Sequence, residues 1–239
     1  MEKLAKAMTN LIAGEVCGKA IDAEAFRALS EEEFKDRYKL SKKHDLAHIV
    51  GNALIKSGVL TEGKVKVAFE KEIFTAVYRY EKLNYELGEI RRALGEAKIP
   101  FIPLKGAVIR KYYPEPWERT SCDIDVLVKE EDLDRAISAL INALGYTCER
   151  REKGSHDMQL YSQSGMHLEL HYSLIEDHVI GEADKLLRNV WDYTEGIDGT
   201  SEIVLTDEMY YYYHIAHMAK HFVYGGCGVR PFLDVWILK

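Results

Sequence analysis

Ser121-Cys122-Asp123-Ile124-Asp125-Val126-Leu127-Val128 alternates two carboxylates with apolar residues and then becomes wholly apolar. Successive strand side chains point to opposite sides. This period of two therefore predicts a strand with Asp123 and Asp125 on one face and Ile124, Val126 and Val128 on the other. Like charges held side by side repel, and a fold that keeps both offsets them with a cation or with buried donors. A divalent metal is the natural partner. Taken alone, however, an alternating D-x-D is more often a solvated strand edge, so its meaning depends on its surroundings.

Upstream, Phe101-Ile102-Pro103-Leu104 reads as a strand, and Lys105-Gly106 as the turn into a helical stretch. Before it, Phe69, Ile73, Ala76, Val77, Tyr80, Leu83, Leu87, Ile90 and Leu94 form a helical stripe that predicts one long helix over 65–98. Pro100 ends it by forcing the preceding residue into extended geometry. Downstream, a helix is expected over 130–144 and strands near 146–152, 157–163 and 166–173. Strand, helix, strand, helix and then a meander predict a mixed sheet with helices packed on one face.

The flanks are helical. Leu4, Ala7, Met8, Leu11 and Ile12, and later Leu46, Ile49, Val50, Ala53 and Leu54, recur at helical spacing. Ser30-Glu31-Glu32-Glu33 has the capping-box form. Past Ile175 the chain returns to helix, with a short strand at Ile203-Val204-Leu205 and a capped start at Thr206-Asp207-Glu208-Met209. Arg150-Arg151-Glu152-Lys153 reads as a solvated hairpin. The expected organisation is a helical part over 1–98, an α/β core over 99–176 and a mainly helical part over 177–239. The apolar pattern begun at Gly228 has no stop signal, so the natural chain is expected to continue past Lys239.

With 239 residues, 47% of them hydrophobic, and a formal net charge of −7, the chain can bury a sizeable core and lacks the basic excess of a duplex-binding surface. Nucleic acid is disfavoured as a partner. Four cysteines without a C-x-x-C pair spell out neither a zinc ribbon nor a redox motif, and a reduced, cytoplasmic setting is expected. No run of about 18 apolar residues predicts a membrane span, so no membrane partner is expected.

Chemistry converges on three segments: Lys105-Gly106, Arg119 to Asp125, and His167-Leu168-Glu169-Leu170-His171. Strand alternation puts His167, Glu169 and His171 on one face. If that face adjoins Asp123 and Asp125, three carboxylates meet, as metal-assisted nucleotidyl transfer requires of its hard oxygen ligands. Asp123 and Asp125 would hold the metal that escorts a triphosphate. Glu169 would complete a second metal site or take a proton from an acceptor hydroxyl. Gly106 would let backbone approach phosphate, with Lys105 or Arg119 neutralising its charge.

Leu104-Lys105-Gly106, Arg119, Ser121, Asp123-Ile124-Asp125 and the distal Leu168-Glu169-Leu170-His171 resemble the catalytic core of the DNA polymerase β-like nucleotidyltransferase superfamily. Within it, the chain is most similar to a bacterial and archaeal group described as uncharacterised nucleotidyltransferases. The resemblance spans about 100–175 specifically, with weaker similarity through the His- and Tyr-rich helix to the C-terminus, and implies an α/β (α+β) mixed-sheet core. It places Gly106 at the phosphate-loop glycine and Ser121 at the small hydroxyl residue before the acids. Asp123, Asp125 and Glu169 match the catalytic, metal-binding acids. It further implies Mg²⁺, with Mn²⁺ as a substitute, and an NTP as donor of a nucleoside monophosphate to an unidentified acceptor. The chain departs from the pattern in having Lys105-Gly106-Ala107 where Gly-Gly or Gly-Ser is common, in a longer insertion before the acids, and in a glutamate as third acid.

Plainer readings stand beside these. Arg119 would pair with Glu115 or Glu118, and Ser121 would satisfy local backbone groups. His214, His217 and His221 share a helix face, yet with Tyr210 to Tyr213 they read as core aromatics. Lys220 on the same helix would reach the nucleotide's phosphates. His44 and His48, four apart, read as partly exposed helix residues. Two rival functions are an inactive relative that binds nucleotide or a protein partner, and a glycosyltransferase. The second would need a parallel α/β unit ahead of the D-x-D, where this sequence is helical.

Overall fold

The computed structural model describes residues 2–151, 154–175 and 183–238, which group into two compact units. The first holds Met1–Tyr80 and Arg110–Thr120, the second Glu81–Ile109 and Ser121–Lys239.

The first unit is helical: α1 (Glu2–Cys17), α2 (Glu24–Arg27), α3 (Glu31–Lys43), α4 (Ala47–Lys56) and the beginning of α5 (Lys64–Glu96). Ser30 caps α3 through the expected box, its hydroxyl accepting from Glu33 N and the Glu33 carboxylate from Ser30 N. α4 is buried almost throughout, because Ile49, Val50, Ala53 and Leu54 meet Met8, Leu11 and Ile12 in the core. Gly51 makes a close approach possible there: a Cβ at that position would lie 2.7 Å from the Phe69 side chain. His44 follows α3 and is exposed, whereas His48 on α4 is buried and its Nε2 donates to the Glu118 carbonyl at 2.9 Å. The pair expected on one partly exposed helix is therefore split by the turn between two helices.

The second unit contains the sheet. Its elements are the end of α5, β1 (Phe101–Pro103), α6 (Gly106–Ile109), β2 (Asp123–Val128), α7 (Leu133–Leu144), β3 (Thr147–Cys148), β4 (Asp157–Tyr161), β5 (His167–His171), α8 (Ala183–Arg188), β6 (Thr194–Gly196), β7 (Ile203–Leu205), α9 (Asp207–Tyr224) and α10 (Arg230–Leu238). Five strands form a mixed sheet in the order β1-β2-β5-β4-β3, with β2 and β5 parallel and the other pairs antiparallel. β6 and β7 form a separate hairpin.

One face of the sheet is apolar. Ile124, Val126 and Val128 join Leu168, Leu170, Met158 and Leu160 in a core closed by Leu83, Leu87, Ile90 and Leu94 of α5 and by Leu133, Ala136 and Leu140 of α7. Each fully buried leucine contributes about 1.5–3 kcal/mol, enough to hold β2 and β5 in one register. Gly145 ends α7 in the left-handed region at φ +67°, where a side chain would be strained. α5 runs unbroken past Gly88, two residues short of its expected end.

Two expectations are corrected. The strand near 146–152 shrinks to Thr147–Cys148, with one further ladder bond from Glu149 N to Gln159 O, because charged residues follow at once. Arg151 lies over the Tyr172 ring and pairs with Glu130, while Glu152 and Lys153 lie outside the described residues. Helices also reach both faces of the sheet: α5 and α7 cover the apolar one, and α9 approaches the other through Tyr210, whose hydroxyl donates to Lys105 O at 2.9 Å. Among the described residues, no helix is long and apolar enough to cross a membrane.

Candidate active site

Strand pairing sets Asp123 opposite His167, Asp125 opposite Glu169, and Leu127 opposite His171. Residues paired across a ladder share a face, so the polar side of the sheet carries Asp123, Asp125, His167, Glu169 and His171 together. Asp125 is deeply buried, 3% exposed, at the centre.

Lys105 comes to this face from the β1–α6 turn, where it adopts a left-handed φ of +43° and Leu104 N bonds to Asp125 O at 2.9 Å. Sequence reasoning assigned the special backbone freedom to Gly106. The strained residue is Lys105 itself, and Gly106 is the buried first residue of α6. Strain at a non-glycine residue persists only where the surroundings enforce it. Here the turn aims the ammonium at the acids: Lys105 Nζ lies 2.7 Å from Asp125 Oδ1 and 3.7 Å from Glu169 Oε2.

His171 approaches from the other side, its Nε2 donating to the same Asp125 Oδ1 at 3.0 Å and lying 3.5 Å from Glu169 Oε2. Burial opposes a positive charge on either group. The Tyr213, Asp125 and Glu169 groups nevertheless hold the Lys105 ammonium well above its ordinary range, and hydrogen bonds to Asp125 and Glu169 raise the His171 imidazole. Asp125 responds in kind. Burial pushes its carboxyl up, but the His171 hydrogen bond and the Lys105 charge overcome this and hold it below the usual range. Asp123 is pushed up, by burial and by the neighbouring Asp125 and Glu169 charges, which outweigh the Lys105 charge.

Two sets of donors that include Glu169 could hold a cation: Asp123 with His167 and Glu169, and Asp125 with Glu169 and His171. The ligand atoms of each set lie within 4.8 Å of one another. Carboxylate oxygens suit Mg²⁺, and the imidazoles extend the range to Mn²⁺. The residues therefore fit a divalent ion, with the Lys105 ammonium and the His171 N–H both directed at Asp125 Oδ1.

Of the residues singled out from sequence, Lys105, Gly106, Ser121, Asp123, Asp125, Glu169 and Lys220 belong to the second unit. Ser121 Oγ donates to Asp123 O at 3.2 Å, at the start of β2. Lys220, on α9, is within electrostatic reach of the site. Burial and the Lys105 charge lower its ammonium, while Glu169 and Asp157 support it. Arg119 belongs to the first unit, where its Nη1 donates to Thr120 O at 2.6 Å.

Several contributors had no assigned role in the sequence reading. His171 stood on the named face, yet its grip on Asp125 required knowing which strand lies beside β2. Tyr213 is buried on α9, and its hydroxyl is raised by burial and by the charges of Asp125 and Glu169. His217 is lowered to about 3, by burial first and then by the Lys105 charge. Helical spacing from Tyr210 was the available signal for both. His217 and His221 contact each other, Nε2 to Nε2 at 3.0 Å, and neither is in a metal-ligating group among the described residues.

A family model described as uncharacterised nucleotidyltransferase matches residues 30–239. Neither a curated protein nor a solved structure matches the chain.

Proposed function

We propose, from the premise that this chain belongs to the uncharacterised nucleotidyltransferase family, that it moves a nucleoside monophosphate from an NTP to an acceptor with the help of Mg²⁺. The observation that carries this reading is the parallel register that sets Asp125 beside Glu169, with Asp123 on the same face.

Asp123, Asp125 and Glu169 would hold the ion, which when bound supplies positive charge to offset that of the triphosphate. Glu169 is more exposed than Asp125, with which it shares Lys105 and His171, and it is the group suited to take a proton from an incoming hydroxyl. Lys105 has a second task. Its ammonium balances Asp125 and Glu169, and it is the cation that would meet phosphate oxygens beside them. The backbone at Gly106 and the Ser121 hydroxyl border the same strand end, and Lys220 adds a cation from α9.

The test is incubation of the full chain with Mg²⁺ and each labelled NTP, scored for pyrophosphate release. Release that Asp125→Ala abolishes is the expected result. Nucleotide binding without release, in the presence of a broad set of hydroxyl acceptors, would instead identify a non-catalytic nucleotide-binding relative.

A further inference from the structure

Beside the carboxylates lies a second group of donors with different chemistry. Strand β4 pairs antiparallel to β5 and sets Asp157 opposite His171, with His156 immediately before it. The His156 and His171 rings face each other at 5.5 Å between centroids, tilted by 31°. One ligand atom from each of His156, Asp157 and His171 lies within 4.8 Å of the others.

Two further observations point to a ligand. His171 is 3% exposed, and its Nδ1 is buried without a hydrogen-bond partner among the described residues. Its Nε2 is engaged with Asp125 and Glu169, so Nδ1 is the ring atom left to complete the group with His156 and Asp157. An imidazole that donates one N–H to a carboxylate is fixed in the tautomer whose other nitrogen offers a lone pair, which is how carboxylates orient metal-binding histidines. Asp157 is likewise held in place, Oδ1 by Ser155 Oγ at 2.8 Å and Oδ2 by Gln159 Nε2 at 2.7 Å.

We propose that His156, Asp157 and His171 form a second cation site, selective for a divalent transition metal such as Zn²⁺ over Mg²⁺. Two imidazoles and one carboxylate are the donor set of a borderline ion, whereas Mg²⁺ prefers oxygen alone. Three protein ligands leave a coordination position open to water or to a phosphate oxygen. Through His171 the site is joined to Asp125, so an ion there withdraws electron density from the imidazole that holds that carboxylate.

The experiment is a calorimetric Zn²⁺ titration of the full chain in excess Mg²⁺ without nucleotide, so its readout does not depend on whether the chain transfers nucleotides. The expected result is one equivalent bound, weakened at least about tenfold by His156→Ala and by Asp157→Asn separately, and retained in Asp123→Asn. Far-UV circular dichroism confirms that each variant is folded, and the two ligand variants give independent readings. Absence of Zn²⁺ binding overturns the proposal. So does binding that survives both His156→Ala and Asp157→Asn, or that is lost in Asp123→Asn or His217→Ala instead.

Discussion

Lys105 Nζ lies 2.7 Å from Asp125 Oδ1, so the most buried acid of the site is neutralised by a lysine from a strained turn. Removing that lysine leaves the carboxylate short of a counter-charge. Lys105→Met is expected to lower the stability of the metal-free chain by about 3 kcal/mol, the low end for breaking a buried pair, since His171 remains in contact. That corresponds to a fall of about 6–12 °C in Tm. Mg²⁺ should recover more of the loss in the variant than it adds to the parent, as thermal melts with and without the ion will show.

His171 grips the same oxygen from the opposite side at 3.0 Å. A group that orients a metal ligand typically governs about 10–100-fold in metal affinity. His171→Ala is therefore expected to weaken Mg²⁺ binding by that factor, read by calorimetry, with the protein still folded.

Glu169 faces both Lys105 and His171 and is proposed to act on the acceptor. Glu169→Gln keeps the shape and loses the basicity. It is expected to reduce turnover by about 10²-fold while changing nucleotide affinity much less, the pattern of an interaction made mainly in the transition state. Full turnover in the variant would remove Glu169 from the mechanism.

Away from the site, burial and the nearby Glu15 carboxylate push the Glu118 carboxyl up from its ordinary 4.5 to about 8. Lys56 and Asn52 both donate to Glu15 at 2.7 Å and leave Glu118 the protonated partner. Between those pH values the folded chain binds more protons than the unfolded one. Its contribution to stability is full below pH 4.5 and is lost as pH rises through about 8. Glu118→Gln should melt within about 1 °C of the parent at pH 5 and several degrees above it at pH 9.

His217 has the opposite sign. Its folded value near 3 lies below the ordinary 6.5, so the unfolded chain takes up the proton first. Stability is full above pH 6.5 and falls as pH drops toward 3. A His217→Gln variant should show a flatter pH dependence of Tm over that window.

The parts of this architecture that could be read in advance were those written as local periods. The alternation of Asp123-Ile124-Asp125-Val126 survives as a strand with an acidic and an apolar side, and the stripe from Phe69 to Leu94 survives as α5. Ser30 and Thr206 cap the helices they were expected to cap. Non-local relationships were harder to foresee. Nothing in Leu104-Lys105-Gly106 signals that the lysine takes the left-handed backbone, because that conformation is enforced by contacts with β2 and α9. The approach of α9 was hidden for a related reason: tyrosines and histidines suit a core and a site equally well.

β2 and β5 are neighbours in the sheet, but α7, β3 and β4 intervene in the chain. The acids therefore meet only when that crossover has closed in register. A slip of one residue would turn Glu169 into the apolar core and set a leucine beside Asp125. Assembly of the site and completion of the sheet are thus a single event, and a ligand that needs Asp125 and Glu169 together acts as a proofreader of the fold. It rewards chains that have paired these two strands correctly and offers nothing to those that have not.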